Sequence, residues 1–125
     1  MPGETGDVGV LVRLRTALAS ALKARDRTSV DAIRGAMAAI ANAEAVEASL
    51  ASPRQGGPIA SAVPGLGAAD IPRKVLTEAD MIRIVWSEVV ERRRAATDYE
   101  QLGKDEDAAR HRAQAATIEA LVRGN

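Results

Sequence analysis

The arginines of this sequence are its side chains with the clearest capacity for chemistry. Arg92, Arg93 and Arg94 follow one another in a segment of helical periodicity, and Arg34 interrupts a second apolar stripe. Three successive positions cover nearly half of a helix circumference, so at least one of the three must approach the apolar face. A guanidinium group there needs an acidic or polar partner, because an unpaired buried charge is costly.

Two interpretations of these arginines are open. In the structural interpretation, Arg34 pairs with Glu88 or Glu91 across a helix interface. In the functional interpretation, the arginines offer a positive face to RNA phosphates or to an acidic protein. Acidic residues lie among the arginines, and no row of exposed aromatic residues is available for stacking bases, so the sequence favours the structural interpretation.

No pattern typical of catalysis, metal binding or cofactor binding accompanies the arginines. His111 is the single histidine, and the arginines on either side of it would repel a metal cation. We interpret it as a solvated surface residue, with a ligand or pH-sensing role as the alternative. Gly65-Leu66-Gly67 lacks the remaining residues of a phosphate-binding loop. No serine or threonine has an evident general base. We therefore predict no catalytic residue, no metal and no cofactor, and expect that the chain is not an enzyme on its own.

The composition predicts one small, all-helical domain. Among the 125 residues there is one tryptophan, one tyrosine and no phenylalanine, so the core must consist mainly of aliphatic residues and alanine. The 17 basic residues equal the 17 acidic ones, so no net field attracts nucleic acid or an acidic membrane at long range, and any such binding would need a local patch. The absence of cysteine fits a reducing compartment, and the N-terminal residues show no signal-peptide pattern. We expect a cytoplasmic protein.

Apolar residues at three- and four-residue steps predict four helices, at about 9–25, 29–50, 78–101 and 105–123. Thr28 and Thr77 are the predicted N-caps of the second and third helices, and each is followed three residues later by an aspartate. The first helix carries a stripe of four leucines that we predict to be part of the core: Leu11, Leu14, Leu18 and Leu22. The inner face of the fourth helix is predicted to consist of Ala109, Ala113, Ala116, Ala120, Ile118, Leu121 and Val122.

Short connections after the first and third helices predict two antiparallel hairpins. The expected architecture is an all-α, four-helix bundle-like domain over residues 9–123. Residues 1–8 are expected to be disordered. The Pro- and Gly-rich segment 51–76 is expected to be a long flexible loop between helices two and three, with a partner-binding loop as the alternative.

Several segments of the sequence resemble the GatB/YqeY-like proteins in their order and spacing, over about residues 11–122 outside the loop. The segments are Ala21-Leu22-Lys23-Ala24-Arg25-Asp26-Arg27, Ile33-Arg34, Ala38-Ala39-Ile40-Ala41-Asn42-Ala43-Glu44, Leu76-Thr77-Glu78, Glu88-Val89-Val90-Glu91-Arg92-Arg93 and Tyr99-Glu100-Gln101-Leu102-Gly103-Lys104. The resemblance implies a helical module similar to the C-terminal part of the B subunit of the tRNA-dependent amidotransferase. In that enzyme related helices help to present a mischarged tRNA, while amidation takes place in other domains.

The resemblance also implies partners and motif residues. Family members often carry the label of carbon–nitrogen ligases that use glutamine as the amide donor. The implied partner is tRNA or a tRNA-processing protein, with no DNA and no membrane. The matching motif positions, to which the resemblance assigns no chemical step, are Arg34, Asn42, Glu44, Glu88, Arg92 and Arg93. The rival hypothesis is a protein–protein interaction or self-association module that does not bind RNA.

Overall fold

The computed structural model describes residues 8–51 and 76–124, with side chains described for residues 8–46 and 76–124. This part of the chain forms four α-helices and no strand. We number them α1 (Val10–Ala24), α2 (Arg27–Ala51), α3 (Glu78–Gln101) and α4 (Asp105–Arg123). The predicted all-α fold of two hairpins is confirmed. The segments 1–7 and 52–75, which carry the predicted disorder and flexible loop, lie outside the described residues.

The core draws aliphatic side chains from all four helices. Its largest fully buried members are Leu14, Ile33, Ile40, Ile118, Val10, Val85 and Val89. Burying a side chain of this size stabilises the fold by about 1.5–3 kcal/mol before entropy is subtracted. Of the four leucines predicted for the core, Leu14 is fully buried, Leu11 and Leu18 pack against the core, and Leu22 is 48% exposed. The prediction for Leu22 was therefore wrong.

Two polar contacts join the hairpins at the end where α1 and α3 begin. Glu78, the first residue of α3, accepts a hydrogen bond from the backbone N–H of Val10 at 2.7 Å. Arg13 of α1 donates from Nε to the Leu121 carbonyl oxygen of α4 at 2.8 Å. The first contact satisfies a backbone N–H at the start of α1 that has no partner within its own helix. The second adds a donor to the Leu121 carbonyl oxygen, which also accepts from Gly124 N at 3.1 Å.

The start of α2 differs from the prediction. The Asp26 carbonyl oxygen accepts the first helical bond, from Val30 N at 2.9 Å. The Asp26 carboxylate accepts bonds from Ser29 N at 3.1 Å and Ser29 Oγ at 2.7 Å. The N-cap of α2 is therefore Asp26 and not Thr28. Aspartate and threonine are both favoured N-cap residues, so residue preference alone did not separate the two positions. For α3, the predicted capping box of Thr77 and Asp80 is confirmed.

The inner face of α4 agrees with the prediction only in part: Ile118 and Val122 are buried and Ala120 and Leu121 are half-buried, as expected. Ala109, Ala113 and Ala116 are exposed, whereas the buried residues are Ala108, Ala115, Ile118 and Val122. Alanine occupies both sides of this helix, so it does not determine which face is buried. The larger Ile118 and Val122 determine it, since they bury more apolar area.

The ends of α3 and α4 that meet at Leu102-Gly103-Lys104 pack mainly against each other. Ala96 and Ala108 are buried there, but they are not part of the core that all four helices share.

His111, which was predicted to be solvated, is half-buried, and the centroid of its ring lies 5.0 Å from that of the Tyr99 ring. None of the described helices combines the length and the apolar character needed to cross a membrane.

Candidate functional site

Arg92 is the arginine that approaches the apolar face of α3, as predicted. Its side chain is 15% exposed, and Nη1 donates to Glu88 Oε1 at 2.7 Å and to the Glu88 carbonyl oxygen at 3.3 Å. Nε donates to Gln114 Oε1 of α4 at 3.3 Å. The embedded charge is therefore neutralised, but by an acid one turn earlier on the same helix rather than by an acid of a neighbouring helix.

The same guanidinium group also lies against α2. A Cβ atom at Gly35 would overlap Nη2 of Arg92, so glycine leaves the space that the guanidinium occupies. Arg92 thus contacts α2, holds Glu88 on α3 and reaches Gln114 on α4. This geometry makes Glu88 and Arg92 a structural junction between three helices.

Arg34 does not form the ion pair predicted for it. It is exposed, and it pairs with neither Glu88 nor Glu91, both of which the structure describes. Glu88 is already the partner of Arg92. On α2 the core is contacted by Ile33 and Ala36, and Arg34 lies on a different face of the helix. The structural interpretation of Arg34 was therefore wrong.

Arg93 takes part in a chain of surface contacts on α3 and α4. It pairs with Glu119, whose other carboxylate oxygen lies 2.9 Å from Nε of Arg123. The guanidinium of Arg123 stacks over the ring of Trp86, at 5.2 Å from its centroid. Hydrogen bonds from Arg123, and then from Arg93, hold the pKa of Glu119 below its usual range. Arg93 is thus exposed, but its charge is compensated.

The structure does not bring the six predicted site residues to one place. Glu88 and Arg92 meet at the junction, whereas Arg93 faces Glu119. Asn42 and Glu44 are exposed on the second half of α2 and form no hydrogen bond with another described side chain. The predicted set therefore separates into a structural pair, a compensated surface arginine and three exposed residues of α2.

A cationic groove that the sequence analysis missed lies where α1 turns into α2. It has a volume of about 480 Å³, and we call it the corner groove. Within the described parts of the chain, none of its arginines forms an ion pair, although one aspartate also contributes to the groove. The lining residues are Leu22, Arg25, Arg27, Val30, Asp31 and Arg34.

The exposed arginines of α3 and α4 contrast with those of the corner groove. Five of them have acidic partners: Arg83, Arg93, Arg110, Arg112 and Arg123. Arg94, the sixth, has no acidic partner among the described residues, and neither does Arg15 of α1. Of the five exposed arginines that lack an acidic partner in the described ranges, three therefore lie together at the corner of α1 and α2. The alternation of basic residues in Lys23-Ala24-Arg25-Asp26-Arg27 was the sequence signal that could have found this groove.

A second groove, between α1, α2 and α4, also has a volume of about 480 Å³. Small side chains, namely alanine, serine and threonine, line most of it, and the carboxylate of Asp26, which also lines it, already caps α2. In the two ranges that the structure describes, no three or more histidine or acidic side chains are placed to hold a metal ion.

No protein family, no curated protein and no solved structure matches this chain. The GatB/YqeY-like resemblance therefore rests on the residues quoted above and stays a prediction.

Proposed function

We propose that this chain is a non-catalytic helical module of the GatB/YqeY-like kind that acts with tRNA or with a glutamine-dependent tRNA-amidating complex. In this proposal, carbon–nitrogen ligase chemistry belongs to partner subunits, and the chain contributes a binding surface. The observation that carries the proposal is the corner groove, whose three arginines have no acidic partner among the described residues. All three lie in the first two segments of the family resemblance.

Local charge matters here because the whole chain has no net charge. A neutral protein attracts a polyanion only through a patch, within about 8–10 Å at ordinary salt concentrations. Arginine suits phosphate especially well, since its planar group can donate two parallel hydrogen bonds. The compensated arginines of α3 and α4 contribute less, because an RNA phosphate would have to displace their acidic partners.

A titration of labelled total tRNA with the full chain tests this function. We expect micromolar binding at about 50 mM salt that weakens linearly on a log–log plot as salt is raised. Binding to tRNA that is absent at micromolar protein, or that does not respond to salt, would contradict the proposal.

The alternative function, self-association or protein docking, has support from the second half of α2. Beyond Ile40 every described side chain is exposed or half-buried, and Val46 is 56% exposed, yet the helix continues to Ala51. A helical segment whose described side chains are buried so little is marginal in water, so a partner helix would stabilise it. Sedimentation equilibrium of the wild type and Val46→Glu distinguishes the two functions: a strict monomer in both cases would exclude self-association.

A further inference from the structure

We propose that the corner groove grips the sugar–phosphate backbone of tRNA, with Arg25, Arg27 and Arg34 donating to phosphate oxygens. This inference rests on the proposed function and names the surface that performs it. The groove sets three guanidinium groups against the single carboxylate of Asp31.

The backbone of Arg25 gives independent support. Arg25 ends α1 in the left-handed conformation, with φ 57° and ψ 36°. The chain uses glycine for the left-handed residues that follow α3 and α4, namely Gly103 at φ 77° and Gly124 at φ 85°. A residue with a Cβ atom is strained in this region and glycine is not. The strained backbone of Arg25 thus points to a role for its side chain that glycine could not serve.

The exposure of the groove favours phosphates over the carboxylates of an acidic protein. Ion pairs between arginine and carboxylate contribute little when they stay solvated, and the three arginines are all exposed. Binding to the phosphates of a nucleic acid does not need burial, because most of its favourable free energy comes from the release of counterions. Leu22, which is 48% exposed beside the arginines, adds an apolar contact that a ribose or base can use.

The test compares two triple variants of the full chain with the same loss of charge. The first is Arg25→Gly/Arg27→Gln/Arg34→Gln, in the corner groove. The control is Arg83→Gln/Arg94→Gln/Arg110→Gln, which removes three exposed arginines of α3 and α4. Both are titrated with labelled total tRNA at about 50 and 200 mM salt, and circular dichroism melts verify that both are folded.

Three phosphate contacts account for about a 20- to 40-fold loss of affinity between these salt concentrations. We expect the corner-groove triple variant to lose these three phosphate contacts, so that its log–log salt slope falls by about 2–3. The control variant should keep the wild-type slope. Arg25→Gly alone relieves backbone strain and so keeps the fold. Its salt slope should fall by about 0.7–0.9.

The outcomes separate the two proposals. If the wild type does not bind tRNA, the proposed function fails and the inference fails with it. If the wild type binds and the corner variant keeps the wild-type slope, the inference is wrong and the function stands. Poly-glutamate that binds as tightly as tRNA and displaces it would instead identify an acidic protein as the partner, which overturns the inference.

Discussion

The guanidinium group of Arg92 lies against Gly35, in space that any side chain at residue 35 would need. Glu88 and Gln114 fix the guanidinium in this position through Nη1 and Nε. A glycine within a helix costs about 1 kcal/mol relative to alanine. The close approach of Arg92 gives a physical reason for the glycine, and it makes the two residues energetically dependent on each other.

The effect of Gly35→Ala on the free energy of unfolding should therefore have opposite signs with arginine and with methionine at residue 92. In the wild type we expect a loss of about 1 kcal/mol in the free energy of unfolding, because displacement of the guanidinium leaves the partly buried Glu88 without its partner. In an Arg92→Met background, the same substitution should stabilise by about 0.5–1 kcal/mol through helix propensity. Urea denaturation of the four proteins measures the coupling, and additive effects would contradict the contact.

Arg25→Gly should raise the free energy of unfolding by about 0.5–1 kcal/mol, because it removes the cost of a left-handed arginine. Arg25→Lys keeps both the Cβ atom and the charge, so its stability should equal that of the wild type. Gly103→Ala is the reverse control, since φ is 77° there and no atom lies within 4 Å of an added Cβ. It should cost about 1 kcal/mol, and a destabilised Arg25→Gly variant would rule out the strain.

Acid should weaken the protein through its helix caps. Hydrogen bonds from the Ser29 side chain and backbone hold the pKa of Asp26 below its usual range, and bonds from Thr77 do the same for Asp80. A carboxylate whose pKa is lowered in the folded state stabilises the fold at pH values above its ordinary pKa of about 4. This stabilisation disappears as the pH falls through the lowered pKa. Asp26→Asn keeps a good N-cap without a titrating group, so its melting temperature should fall less between about pH 5 and pH 2 than that of the wild type.

The fold could be predicted from the sequence wherever large apolar residues determined the face of a helix. Val85 and Val89 indicated which side of α3 faces the core, and Thr77 with Asp80 indicated where the helix begins. On α4, Ile118 and Val122 indicated the buried side, but alanines on several sides of the helix left it undetermined which alanines are buried. The cap of α2 could not be predicted from residue preferences, because Asp26 and Thr28 are both good caps and only the geometry of the turn decides between them.

The candidate site could be predicted only in part. Three consecutive arginines had to place one guanidinium near the core, and Arg92 is that residue. Its partner could not be identified, because Glu88 was within reach of arginines on two helices and the arginine on its own helix was nearer. The corner groove was missed because basic residues in a turn are usually solvated, and only coordinates show that Arg34 joins Arg25 and Arg27.

Trp86 should report the protonation of Glu119, since it is the single tryptophan of the chain and carries the guanidinium of Arg123 over its ring. Glu119 holds Arg123, and its pKa is lowered chiefly by the hydrogen bond from Arg123. As the pH falls through that lowered pKa, below the ordinary value of about 4.3, Arg123 should lose its partner and the fluorescence of Trp86 should change. Glu119→Gln should remove this transition. Glu100→Gln, which breaks the separate pair with Arg112, should keep it. Far-UV circular dichroism at each pH separates the transition from unfolding, and an identical titration in Glu119→Gln would show that another group controls the tryptophan.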